Sequence, residues 1–188
     1  MDASRVLAGR PMQCGAVIAD GGVNFSLFSK NASRVALYFF DSPDAKTFCD
    51  TIEFDPKINK TGDVWHVFIK GLKAGALYLY RIDGPYNPPA GDRFNFNKYL
   101  FDPCAKAFTA GSVFRSYRAQ REQGQAGIEN GLLSDLSDFP KCVVVDDADF
   151  EKAISVIYHG FIDSDENVIT VAELEQSEQG RQKKNRGF

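Results

Sequence analysis

Side chains able to do chemistry are scattered along this chain rather than gathered. Asp146, Asp147 and Asp149 follow a β-branched run at 143–145. A pair of carboxylates can act as acid and base in hydrolysis when a rigid scaffold fixes their separation. No such scaffold surrounds these three, and carboxylates past a strand end are ordinary, so no residue is assigned a catalytic role. Trp65 and Tyr86 are the aromatics suited to stack on the apolar face of a sugar ring and so to bind carbohydrate. Tyr86, between Gly84-Pro85 and Asn87, sits in a loop context that exposes it, although a loop tyrosine that docks on a neighbouring domain has the same signature. Trp65 lies in 64–69, a strand with apolar residues on both faces, which favours a buried or interface ring over a sugar platform. Arg93 and Lys98 can meet carboxylates or sugar hydroxyls, and the plainer reading is that they tether their own loop to Asp83, Asp92 or Asp102.

Asp163, Asp165 and Asn167 occupy the first three ligand positions of an EF-hand loop across 163–174. The pattern then fails, because Val168 stands where glycine makes the sharp turn and Leu174 where a glutamate belongs. A hydrophilic turn leading into a short helix over 171–179 is the expectation. His66 and His159 stand alone and read as structural or solvated. Cys14, Cys49, Cys104 and Cys142 form no C-x-x-C pair and have no histidine at ligand spacing, so neither metal nor cofactor is expected. With no secretion signal pattern they read as reduced, mostly buried thiols in a cytoplasmic protein. The formal net charge is −3 and no basic stripe exists, which removes nucleic acid as a partner. No apolar run approaches the ~20 residues needed to span a bilayer.

The elements that must position these residues are short runs closed by turn chemistry. Asp20-Gly21-Gly22 separates 14–18 from 23–28; Asn31-Ala32-Ser33 precedes 34–40; Ser42-Pro43-Asp44 precedes 47–54. Thr61-Gly62-Asp63 opens 64–70, and 71–75 turns into 76–83. Val23, Phe25 and Leu27 point one way and Asn24 and Ser26 the other, so one face is core and the other faces solvent; Val35, Leu37 and Phe39 repeat the pattern. These features predict an all-β, immunoglobulin-like antiparallel β-sandwich over 9–110. Residues 111–147 read as a surface excursion with a helical turn near 116–123 and a new buried strand at 140–146. Residues 148–188 read as a poorly ordered or short-helical tail.

Residues 78–108 are the most informative stretch. A strand with Tyr78 and Tyr80 alternating with leucines is stopped by Gly84-Pro85 and Pro88-Pro89. Then Arg93, Asn95, Asn97 and Lys98 are interleaved with Phe94, Phe96, Tyr99 and Phe101. A loop so aromatic must bury itself against something. Three blocks, 24–32 (Asn24-Phe25 to Asn31-Ala32), 64–72 (Val64-Trp65-His66 to Gly71-Leu72) and 93–103 (Arg93-Phe94-Asn95 to Asp102-Pro103), resemble the N-terminal module of bacterial glycogen-debranching enzymes of the isoamylase type, in the family's order. The resemblance runs from about Gly9 to Asp147, with Phe96 where a proline is usual and Cys104 where a tyrosine is usual.

The resemblance implies a non-catalytic companion of a (β/α)8 barrel, acting in cis or in trans on the α-1,6 branch points of glycogen. It also implies that Arg93, Phe94, Asn95, Lys98 and Asp102 belong to the segment that docks on that barrel. The 188 residues cannot hold such a barrel, which alone needs roughly 250. Two other readings remain open at this point: a free-standing module that binds α-glucan through Trp65 and Tyr86, and an interaction module whose loop at 84–101 docks a separate catalytic chain.

Overall fold

The structure, a computed structural model, describes residues 2–11, 13–122 and 133–146. The chain divides into Met1–Asp146 and Asp147–Phe188; the sandwich occupies the first unit. The EF-hand-like pattern, His159 and the expected helix at 171–179 lie outside the described residues.

Two antiparallel sheets face each other. The first has strand order β1 (Val6–Leu7), β7 (Val64–Lys70), β3 (Gly22–Phe28), β2 (Gly15–Ala19), and β6 (Lys60–Thr61) also pairs with β7. The second runs β11 (Ala107–Phe108), β12 (Cys142–Val143), β8 (Leu77–Asp83), β4 (Arg34–Phe40), β5 (Asp50–Glu53). A separate two-stranded ribbon joins β9 (Tyr86–Asn87) to β10 (Asp92–Arg93). The turn between β2 and β3 shows how the sequence sets the register. Asp20 and Gly21 have φ of 49° and 76°, the left-handed pair that a two-residue hairpin needs, and Ala19 is thereby placed opposite Gly22.

Val23, Phe25 and Leu27 of β3 stand beside Ile69, Val67 and Trp65 of β7. They face the inner side of the second sheet, where Phe39 pairs with Tyr78 and Leu37 with Tyr80. Phe25 meets Phe39 and Tyr78 edge-on, with ring centroids 5.9 and 5.0 Å apart. Such geometry puts the positive ring edge on the negative ring face.

The structure differs from the expected one-sided strands, because both sheets are covered on their outer faces as well. Asn24 and Ser26 are buried, not solvent-facing. The chain before β2 crosses that face, and the Asn24 amide accepts from the Arg10 N–H at 2.8 Å and donates to the Arg10 carbonyl at 3.0 Å. His66 is held there too, with Nδ1 2.6 Å from the Ala8 carbonyl and Nε2 2.9 Å from the Thr61 hydroxyl. On the second sheet, Ala36, Tyr38 and Phe40 point outwards yet are buried, since the aromatic loop lies over them.

Residues 133–141 also depart from a surface excursion. Leu133, Leu136 and Phe139 are core residues, and Phe139 stacks on Phe101 with centroids 5.4 Å apart. Ser134, Asp135, Ser137 and Asp138 fill the positions between them, so the composition of the segment reads as surface. The helix is α1 (Val113–Glu122), a little earlier than 116–123, with the Ser112 hydroxyl accepting from the Arg115 N–H at its start. The cysteines are all free, but Cys14, Cys49 and Cys104 are exposed and Cys142 alone is buried. The first three lie outside strands, at turns, where a small side chain has little to pack against.

Candidate functional site

The loop that follows β8 returns along the edge of the second sheet. Leu100 exchanges two main-chain hydrogen bonds with Tyr80, at 2.9 and 2.8 Å, and this bridge fixes the height of everything before it. Tyr99 then lies over the outer face, edge-on to Tyr38 at 5.6 Å. Phe96 is clasped between two guanidinium groups, Arg34 at 3.6 Å and Arg81 at 4.5 Å from its ring centre. A proline there would lack the aromatic ring that both cations use.

The tether of this loop is not the one the sequence suggested. Asp92 accepts from the Asn31 side chain at 2.9 Å, Asp102 from the Tyr78 hydroxyl at 2.9 Å, and Asp83 from its neighbour Gly84 at 3.0 Å. These carboxylates therefore face groups other than Arg93 and Lys98. Arg81 holds the loop instead: its Nε donates to the Phe96 carbonyl, and its Nη2 lies 3.4 Å from Asn97 Oδ1. Sequence reasoning missed Arg81 because an arginine alternating with apolar residues in a strand looks like an ordinary solvated position.

With the loop so placed, Arg93, Phe94, Asn95 and Lys98 come together with Ile82, Gly91 and Leu100 around a groove of about 290 Å³. Arg93 and Lys98 are exposed, and Phe94 is half-buried. Tyr86 is the residue directly opposite Arg93 in the ribbon and is 73% exposed. One surface thus carries Tyr86 and four of the residues singled out for docking. Asp102 and Trp65 are not on it. Trp65 is 1% exposed, its indole N–H donates to the Ser29 carbonyl at 3.2 Å, and the Lys60 ammonium sits 4.7 Å from its ring.

A larger cavity of about 470 Å³ lies between the N-terminal segment and the first sheet. Two of its polar side chains are already engaged: Arg10 pairs with Asp20 at 3.5 Å, and Asn24 is held by the Arg10 main chain.

Asp102 anchors the far end of the loop from within. It is buried, takes the Tyr78 hydroxyl on one oxygen and the Cys104 N–H at 2.8 Å on the other, and has no cation beside it. Burial is the main influence and holds its pKa above the usual carboxylate range, while the two hydrogen bonds oppose that rise. Between the ordinary value and the raised one, the folded chain keeps a proton that the unfolded chain has lost. Its stabilising contribution is therefore full at low pH and lost as pH rises through the folded value. Asp102→Asn keeps an acceptor for Cys104 and an amide donor for Tyr78 without the charge. Urea unfolding from pH ~4 to ~7 is expected to show wild type losing stability relative to the variant as pH rises. A difference independent of pH, or one of opposite slope, refutes this account.

The two facing antiparallel sheets form an immunoglobulin-like sandwich, and the ribbon and aromatic loop present a groove on its surface. The sequence comparison narrows this further. Residues 13–105 match carbohydrate-binding module 48, the isoamylase N-terminal domain, and this part of the chain belongs to that family.

Isoamylase 1, chloroplastic, of Oryza sativa subsp. japonica is 45% identical over 107 residues, which is 56% of this chain and 13% of that protein. The glycogen debranching enzyme of Dickeya chrysanthemi is 44% identical over 101 residues, 54% of this chain and 14% of that enzyme. The chain thus spans about a seventh of these relatives. Among solved structures, the catalytic module of the multi-modular glycogen-degrading pneumococcal virulence factor SpuA aligns at 18% identity with a TM-score of 0.49, covering 76% of this chain and 17% of that one. Among the described residues, no helix is long and apolar enough to cross a membrane.

Proposed function

We propose that this module is the non-catalytic partner of a (β/α)8 barrel, in cis or in trans, in an isoamylase-type debranching activity on α-glucan, and that the groove of Arg93, Phe94, Asn95 and Lys98 is its contact with that barrel. The observation that carries this is the division of the loop's side chains. Tyr99, Phe96 and Phe101 pack on the chain's own sheet, whereas Arg93, Lys98 and Tyr86 stay outside with no such role. The purified chain is expected to release no reducing sugar from glycogen or pullulan, and measurable hydrolysis would refute the non-catalytic reading.

The exposure of Tyr86 favours a second reading, in which the same surface binds glucan directly. Its ring supplies an apolar platform, with Asn87 beside it and Arg93 opposite. Electrophoresis through a glycogen-containing gel is then expected to show retardation that Tyr86→Ala weakens roughly three- to tenfold, matching ~1 kcal/mol for one ring contact. Unchanged mobility of wild type in glycogen removes this reading. Trp65→Ala is no test of it, because that ring is part of the core.

A further inference from the structure

Cys14 and Cys104 are far apart in sequence and meet in the fold. Cys14 immediately precedes β2 at the edge of the first sheet, and Cys104 lies in the turn after Asp102, beside the second. Gly15 makes the approach possible. Its φ is 101°, and a Cβ built there would stand 3.0 Å from the Cys104 carbonyl oxygen and 3.1 Å from the Cys104 Cβ. Only a residue without a side chain lets the two main chains come so near. The neighbouring Cys14 is thereby brought up against the Cys104 turn. Both thiols are exposed and unbridged.

We propose that Cys14 and Cys104 are a redox modification site, which closes to a reversible disulfide and staples the edge of the first sheet to the turn that ends the aromatic loop. The two other cysteines are set apart by their surroundings. Cys142 is buried, its sulfur accepts the Asp102 N–H, and burial pushes its thiol up to about 12. Cys49 directs its thiol to the Phe39 carbonyl at 3.4 Å, and burial raises its pKa too.

A small-molecule disulfide such as oxidised glutathione is the oxidant. Partial burial, then the Asp102 carboxylate, keeps the proton on Cys104, which leaves Cys14 as the first attacker. The Cys14 thiolate breaks the S–S bond of the oxidant, forms a mixed disulfide and expels one thiolate. Cys104, on losing its proton, attacks the Cys14 sulfur and expels the second. The protein pair loses two electrons and two protons, and the oxidant gains both as two thiols.

The full chain is to be incubated with oxidised glutathione, alkylated and mapped by mass spectrometry without reduction. Before alkylation the expected product is lighter than the reduced chain by two hydrogen atoms; after alkylation under denaturing conditions its Cys14 and Cys104 peptides are linked and Cys49 and Cys142 are alkylated. Its melting temperature is expected to rise by roughly 5 °C or more and to return when dithiothreitol is added. Cys14→Ser and Cys104→Ser should each abolish the link, while Cys49→Ser keeps it at the wild-type rate. Persistent glutathione adducts without a link, a link through Cys49 or Cys142, no oxidation of the folded chain, or an unchanged melting temperature would each overturn the proposal.

Discussion

Arg81→Ala is expected to destabilise the module by about 2–4 kcal/mol and to free the loop that builds the groove. Arg81 donates to the Phe96 carbonyl and approaches Asn97 Oδ1, and its guanidinium lies within 5.4 Å of the ring centres of Phe96, Tyr38 and Tyr99. A charged hydrogen bond to a partly buried acceptor is worth ~1.5–3 kcal/mol and each well-placed cation–π contact ~0.5–1 or more. These contributions overlap, so the sum is held to the lower range. Arg81→Lys should recover little, since an ammonium cannot stack on Phe96 and fork towards two acceptors at once. The groove supplies its own reporter, because Arg93 and Lys98 are trypsin sites carried by the tethered loop. Urea unfolding should give the energy, and trypsin should cut after Arg93 and Lys98 at least ~10-fold faster in the variant, as a local opening made easier by more than 1.4 kcal/mol requires. Cleavage at the wild-type rate would show that Leu100 and Tyr99 hold the loop without Arg81.

The long strands were legible because each carries its own signal. The runs at 34–40 and 64–70 match β4 and β7 residue for residue, and the turn chemistry at 20–22 and 61–63 marks their neighbours. What covers those strands was not legible. Asn24 and Ser26 have the alternation of a solvent-facing set, and only the distant residues 8–10, whose own pattern is weak, turn that face into an interior. The aromatic loop announced that it buries something but not where, since its contact is with Tyr38 and Phe40, far off in sequence and already inside a strand. For the candidate surface, Tyr86 and Arg93 were named separately, and the ribbon that sets them opposite each other joins strands of two residues, too short for a period. Arg81 and Lys141 share one reason for escaping notice: each charge sits in an apolar run and donates to main chain that no side-chain pattern records, Arg81 to one carbonyl and Lys141 to two.

Lys141→Met is the second large effect expected. Lys141 is fully buried, and its ammonium donates to the Pro43 and Leu136 carbonyls, both at 2.6 Å, above the Phe40 ring. It thereby joins residues 133–141 to the turn before β5, a junction also made by the Leu136 N–H and the Lys46 carbonyl at 2.9 Å. Methionine replaces the stem but leaves two carbonyls without a donor, each worth ~1–3 kcal/mol, against which relief from burying a charge acts. A net loss of about 2 kcal/mol is expected. Burial lowers the Lys141 pKa, and Asp44, Asp135 and Asp138 oppose that shift. Between the lowered folded value and the ordinary 10.5, the unfolded chain binds the proton that the folded chain releases, so stability gains from this group as pH rises through that interval. The deprotonated amine still donates to both carbonyls, which preserves the junction. Chemical denaturation at pH ~7 and ~10 should therefore show a larger gap between wild type and Lys141→Met at the higher pH. A gap that narrows would mean that the ammonium charge, and not the pair of hydrogen bonds, holds the segment in place.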